Sequence, residues 1–227
     1  MINILYLSNQ KSFKGGAPRS LYEIISNLDC KRFNPFFASI HDDQLANEIK
    51  ELGVFFHHIE TGYIIHPLLA SSAFKGLVHF INENNIDIIH NNQCNDAFYS
   101  WLPAKFTRTP MIIHHRDPSF YKSSKFLLNI ADANIAISSW QNEYNLGNKG
   151  IVIHNAIDVN KFSTKKRNYY KLGNKENNIV VGLIGRITHD KAQDVFIKAA
   201  NRVVKKYITF KWCRMGDDKD KNNAQYI

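Results

Sequence analysis

Four short stretches of the chain carry residue types that could do chemistry. Gly15-Gly16 lies between a first apolar run and a helix-like segment. A strand, a glycine loop and a helix N-terminus together present unpaired N–H groups and the positive end of a helix dipole, which suit a phosphate. Glycine there permits close approach and positive φ. The pair matches neither G-x-G-x-x-G nor G-x-x-x-x-G-K-[ST], so a plain tight turn is the competing reading. His114-His115-Arg116-Asp117 closes an apolar, β-rich run. In open α/β sheets that end of a strand borders the ligand crevice. Neighbouring strand residues point to opposite faces, so at most one of the two histidines enters a given pocket. The alternative is one core and one surface histidine. His57-His58, His90 and His154 also end strand-like runs. Ile153–Phe162 reads as a polar turn after a strand. Gly185-Arg186, with Lys191 further on, places two cations before a helix. A planar fork and a point charge would clamp a diphosphate, or they are simply solvated.

Other chemistries find no support. There is no HxH, HExxH or adjacent cysteine to hold a metal. Asp218-Lys219-Asp220 matches a DxD pattern but sits in a tail without apolar periodicity and reads as a solvated charge run. No nucleophile elbow, zinc finger or RNA-binding signature occurs. Cys30, Cys94 and Cys213 are far apart with no C-x-x-C, which argues against a disulfide framework and fits a reducing cytosol.

The elements that must position these residues alternate. Strands are expected at Ile2–Ser8, Pro35–Ile40, Val54–Ile59, Ile86–His90, Met111–His115, Ala133–Ser138 and Ile151–His154. Helices are expected at Arg19–Leu28, Gln44–Leu52, Leu68–Asn82, Asp96–Phe106 and Lys122–Ala131, with one more capped by Ser139 and running to Leu146. Strands joined by crossover helices imply a parallel sheet covered on both faces, a doubly wound α/β domain. Residues 161–178 turn basic and Asn-rich and read as a linker. Strand, helix and strand patterns then recur at Asn178–Gly185, Asp194–Lys206 and Ile208–Met215. The expected organisation is therefore 1–160, a linker over 161–178, and the start of a second α/β domain over 179–227.

Length and composition set the outer limits. The chain has 227 residues, 44% hydrophobic and 22% charged, which is globular rather than disordered. With 29 Lys+Arg against 20 Asp+Glu the net charge is +9. That favours an anionic partner: nucleic acid, a nucleotide or a membrane face. The densest basic run is the linker rather than a face interleaved with aromatics, so nucleic acid is not expected. No stretch is apolar for long enough to span a bilayer, and the N-terminus reads as a strand, not a signal peptide.

Taken in order, GGAPRSLYEIISNL, DIIHNN, PMIIHHRD, ADANIAISSW, VIHNAIDVNKF and VVGLIGRITHDKAQDVFIKAA resemble the family 4 retaining glycosyltransferases, which have the two-domain glycosyltransferase B (GT-B) fold. The last segment resembles that family's G-R-x(4)-K-G opening of the donor domain. The resemblance spans nearly the whole chain. It implies sugar transfer with retention from a nucleotide-sugar donor to a glycan or lipid-linked acceptor, in cell-surface polysaccharide or lipopolysaccharide synthesis. It implies Gly15, Gly16, Arg186 and Lys191 as donor diphosphate ligands. It also implies a histidine, His114 or His115 with His114 favoured, beside the transferred sugar. No metal or other cofactor is expected. The expected location is cytoplasmic, with an anionic membrane surface as a further partner.

The chain also departs from that family. Ala192 stands for the Gly after Lys191, and Ala156 for the Gly of Asn-Gly-Ile-Asp. Either would be strained at φ > 0. The family's acidic pair for donor sugar and ribose has no match in the 227 residues. The sequence therefore reads as a chain truncated in its donor domain and inactive alone, with a complementary chain as a partner. The alternative is a non-catalytic module that binds a partner glycosyltransferase chain or a membrane.

Overall fold

The computed structural model describes residues 1–60, 70–117, 122–162, 179–185, 187–206 and 210–215. Contacts divide the chain into two compact units, Met1–Ser163 and Thr164–Ile227.

The first unit runs β1 (Ile2–Leu7), α1 (Gly16–Ser26), β2 (Phe33–Ser39), α2 (Gln44–Lys50), β3 (Phe55–His58), α3 (Ala70–Glu83) and β4 (Ile88–Asn91). It continues with α4 (Ala97–Thr107), β5 (Met111–His115), α5 (Lys122–Ile130), β6 (Ala133–Ala136), α6 (Ser139–Tyr144), β7 (Ile151–Val152) and α7 (Val159–Phe162). The seven strands form one sheet in the order β3-β2-β1-β4-β5-β6-β7, every pair parallel. Alternation along the strands fills both faces. Leu5, Leu7, Ile89 and Ile113 join Leu77, Phe80 and Leu127 in one core. Ile4, Tyr6 and Phe37 join Leu21, Ile25, Leu45 and Ile49 in the other. The doubly wound expectation holds. The strand order reverses between β1 and β4, and in this topology the ligand crevice lies at the carboxyl ends of those strands.

Local chemistry explains where the elements begin and stop. Helix α1 starts at Gly16, earlier than the apolar spacing from Arg19 suggests. Extended Gly15 is its N-cap, and Pro18 falls in the first turn, where no N–H is needed. Helix α3 ends in a Schellman motif: Asn85 is left-handed (φ 47), its N–H meets the Asn82 carbonyl, and the Ile86 N–H meets that of Ile81. That turn delays β4 to Ile88. Ser138, not Ser139, caps α6, its Oγ accepting the Gln141 N–H at 3.1 Å. Serine caps from one residue before the first helical one.

In the second unit β8 (Ile179–Ile184) and β9 (Phe210–Met215) pair in parallel, and α8 (Gln193–Lys206) lies between them in sequence. Ala192 precedes α8 with φ 52 and ψ 40, a left-handed conformation that costs an alanine roughly 1 kcal/mol. The strain expected at Ala192 is thus present. Ala156 is not among the left-handed residues. Of the expected linker, only residues up to 162 are described. Asp218-Lys219-Asp220 lies outside the described residues, and among those no helix is long and apolar enough to cross a membrane.

Candidate active site

At the switch point the segments after β1 and β4 are tied together by Asp96. This buried carboxylate accepts the Asn9 N–H at 3.0 Å and the Gln93 N–H at 2.9 Å. Burial pushes its pKa up to about 7, against the two hydrogen bonds that pull it down. Gln10 Nε2 donates to Gln93 Oε1 across the same gap.

The end of β5 separates the two histidines. Ile113 pairs with Asn134 and His115 with Ala136, so His115 shares the Ile113 face, where α5 packs. Its Nε2 lies 2.8 Å from Asn134 Oδ1, while Asn134 Nδ2 donates to the Leu128 carbonyl at 3.1 Å. Asn134 Oδ1 is therefore the acceptor, and His115 carries its proton on Nε2. Burial lowers its pKa, and the bond to Asn134 opposes that.

His114 occupies the opposite face, beyond Tyr6 and His90. The Tyr6 and His90 rings are 5.1 Å apart, and His90 and His114 stack at 5.5 Å. Arg116 Nη2 lies 3.0 Å from His114 Nδ1. A guanidinium cannot accept a hydrogen bond, so His114 Nδ1 must accept and the ring proton resides on Nε2. That Nε2 is sealed from solvent and has no partner among the described residues; the same is true of His90 Nε2. Burial first, then the Arg116 charge, brings His114 down to about 2 and His90 to about 4. Both rings are neutral at physiological pH.

Arg116 is the hub. Its Nε donates to Asn92 Oδ1 at 2.9 Å and its Nη1 to Ser20 Oγ at 2.7 Å and to Asn155 Oδ1. Ser20 Oγ in turn donates to Asn155, and Asn92 Nδ2 to the Ala17 carbonyl in the first turn of α1. Arg116 is 9% exposed, and its partners among the described residues are all neutral. Burial lowers its pKa to about 10, which leaves it charged. A buried cation held only by neutral acceptors is a costly arrangement, and it concentrates positive potential at the switch point.

The expected residues distribute as follows. His114 joins the hub, and His115 does not. Gly15 and Gly16 are exposed at the start of α1, whose first turn has neither a side-chain cap nor an acidic residue. Neither glycine uses the positive φ that its type permits. A Cβ on Gly15 would come within 3.1 Å of Pro18 Cδ, whereas one on Gly16 would meet nothing within 4 Å. Arg186 lies outside the described residues. Lys191 is exposed, its stem passing Gly185: a Cβ there would lie 3.8 Å from Lys191 Cγ. Among the described residues no group of three or more His, Cys, Asp or Glu could hold a metal.

Comparison with solved structures places the fold. Anabaena HepE in complex with UDP-glucose superposes with a TM-score of 0.67 at 17% identity, over 96% of this chain and 70% of that one. A glycosyltransferase from Rickettsia africae gives 0.69 at 16% identity, over 96% and 69%. The lipopolysaccharide outer core galactosyltransferase WaaB gives 0.67 at 14% identity, over 95% and 69%. The fold is glycosyltransferase B. No protein-family model matches the chain, and no curated protein does.

Within that fold, residues that had no expected site role are central to the network. Ser20, Asn92, Arg116 and Asn155 come from four of the six segments quoted above, and they meet at one guanidinium. Asn155 sits in what reads locally as a polar turn. The available signal was the order of the segments, each placing a polar side chain just past a strand or in the first helix.

Proposed function

We propose that the chain belongs to a retaining glycosyltransferase of the family 4 type. It transfers a sugar from a nucleotide-sugar donor to a glycan or lipid-linked acceptor in cell-surface polysaccharide or lipopolysaccharide synthesis. The observation that carries this reading is the convergence of four family-like segments on Arg116 at the switch point of a GT-B fold. The HepE structures in complex with UDP and with UDP-glucose support a nucleotide-sugar donor.

The assigned roles follow from charge. The start of α1 at Gly15 and Gly16 meets the donor diphosphate through backbone N–H groups. Arg186 and Lys191 neutralise that diphosphate as it leaves, which is electrostatic stabilisation without a metal. His114, neutral and protonated on Nε2, donates to an oxygen of the transferred sugar once Nε2 is uncovered. The acceptor attacks from the face the diphosphate leaves, so retention needs no enzyme nucleophile. Saturation-transfer NMR with UDP-glucose and other nucleotide sugars tests the reading. Transfer to the nucleotide that falls on Lys191→Ala and Arg186→Ala supports it; no transfer to any nucleotide sugar contradicts it.

A second reading is a non-catalytic acceptor-domain module serving a partner chain. Sugar-nucleotide turnover by the purified chain excludes that reading.

A further inference from the structure

Asp96 is a buried carboxylate to which the donor chemistry assigns no role. It is 1% exposed, and its two oxygens are used separately: Oδ1 accepts the Asn9 N–H and Oδ2 the Gln93 N–H. Its own N–H donates to the Gln93 carbonyl at 3.1 Å, which closes a short turn. This geometry asks for an acid. An ionised Asp accepts on both oxygens, whereas Asn has the same shape but presents one oxygen and one NH2 group. Asn would therefore set a donor against one of the two N–H groups. Burial works against the charge. A carboxylate kept in spite of that cost is explained by what it holds rather than by core packing.

What it holds is the exit of β1. A row of hydrogen bonds crosses the carboxyl ends of five neighbouring strands, β2-β1-β4-β5-β6, and Asp96 stands near its middle. On one side Asn9 Oδ1 accepts the Ile40 N–H, just past β2, at 3.4 Å. On the other, the Gln93 side chain accepts from Gln10 and donates to Asp117 Oδ2 at 3.3 Å. Gln141 Nε2 donates to the Asp117 carbonyl at 2.8 Å, and Gln141 Oε1 accepts the Ile137 N–H, just past β6, at 3.1 Å. From Gln10 the chain runs through Lys11–Lys14 to Gly15-Gly16. Its ties to α2 on the way are longer. The Leu45 N–H meets the Lys11 carbonyl at 3.4 Å, and the Phe13 N–H meets Gln44 Oε1 at 3.5 Å.

We propose that Asp96 is a positioning residue: its carboxylate fixes the segment leaving β1, and with it the Gly15-Gly16 turn, against the sheet. It acts through the Asn9 N–H and not by contact with substrate. The consequence for the donor rests on the reading above, in which N–H groups at that turn meet the diphosphate. Donors that must converge on one anion bind it more tightly when they are fixed in advance.

Amide hydrogen exchange followed by ¹⁵N NMR on the whole chain at pH 8, with a parallel titration of UDP-glucose, tests it. In the parent the Asn9 and Gln93 N–H groups should exchange ~10-fold or more slower than those of 11–14. Asp96→Ala removes both acceptors. It should speed exchange at Asn9 ~10-fold or more and weaken UDP-glucose binding ~10-fold, with exchange in α3 and β5 unchanged. Asp96→Asn keeps the shape and should leave Asn9 or Gln93 protected, but not both. Three results would each overturn the proposal: an Asn9 N–H in the parent that exchanges as fast as 11–14, full protection of both groups in Asp96→Asn, or unchanged UDP-glucose affinity in a folded variant whose Asn9 is freed. A parent chain that binds no UDP-glucose contradicts the donor reading alone, and the exchange comparison still decides whether Asp96 fixes the segment.

Discussion

His114 and His115 are adjacent, chemically identical and almost fully buried, yet their surroundings treat them differently. His115 is satisfied by a neutral asparagine that is itself anchored to the Leu128 carbonyl. His114 is held by a cation and keeps a buried Nε2–H with no acceptor among the described residues. The difference follows from the alternation of a strand, which sends one ring toward α5 and the other toward the switch point. The first environment is that of a structural histidine. The second stores an unmet hydrogen bond beside a buried charge, the kind of arrangement that functional sites retain and cores avoid.

Removing the hub should break the contrast most severely. Arg116→Met leaves Asn92 Oδ1, Ser20 Oγ and His114 Nδ1 without their donor, while Asn155 Oδ1 keeps only the one from Ser20. At ~1–3 kcal/mol for each group left unsatisfied, urea unfolding should show a loss of several kcal/mol. Arg116→Lys should recover little of it, since a single ammonium cannot span partners on several sides. A loss below ~1 kcal/mol would show that the network is incidental.

Acidification comes next. Burial holds His90 at about 4 and His114 at about 2, below the ordinary 6.5, so the unfolded chain takes up protons first. Their contribution to stability is full above 6.5 and is lost as the pH falls. Asp96 acts in the opposite sense. Its raised pKa of about 7 contributes stability at low pH that fades as the pH rises from about 4 to 7. Two histidines against one carboxyl leave a net loss of ~1.4 kcal/mol per pH unit below 6.5. His57 and His115, also lowered by burial, add to it. Urea midpoints measured from pH 7.5 to 5 check the sign; a midpoint that rises on acidification contradicts it.

Asn134→Ala sharpens the comparison from the other face. It strips His115 Nε2 of its acceptor and should cost ~1–3 kcal/mol. Nucleotide-sugar binding should be unchanged, because Asn134 faces α5. Reduced binding by the folded variant would show that the two faces are not independent. The smallest effect belongs to Gly16→Ala. With open space at its Cβ and no positive φ, it should be neutral or stabilising by a few tenths of a kcal/mol. A loss of donor binding without a loss of stability would support close diphosphate contact at that glycine.

What the sequence made legible was local. Strand β5 falls at Met111–His115 as the apolar run predicts, and so does the parallel, doubly wound order, because periodicity and alternation are short-range signals. The one-residue miss at Ser138 and the early start of α1 reflect cap and proline geometry, which a spacing rule does not see. The hub was hidden for another reason. Ser20, Asn92 and Asn155 are ordinary polar residues along the chain, and only the crossover topology brings them to Arg116. The same holds for α4: its composition looks like core, and only packing reveals that the large side chains face outward.

The central claim is that Arg116 fixes His114 as a neutral ring with its proton on Nε2. Long-range ¹H–¹⁵N NMR of the histidine rings tests it directly. The account predicts a His114 pattern with Nε2 protonated and Nδ1 bare, unchanged from pH 7.5 to 5 and lost in Arg116→Met. A His114 ring that is protonated on Nδ1, or that titrates near the ordinary histidine pKa in the parent chain, would contradict it.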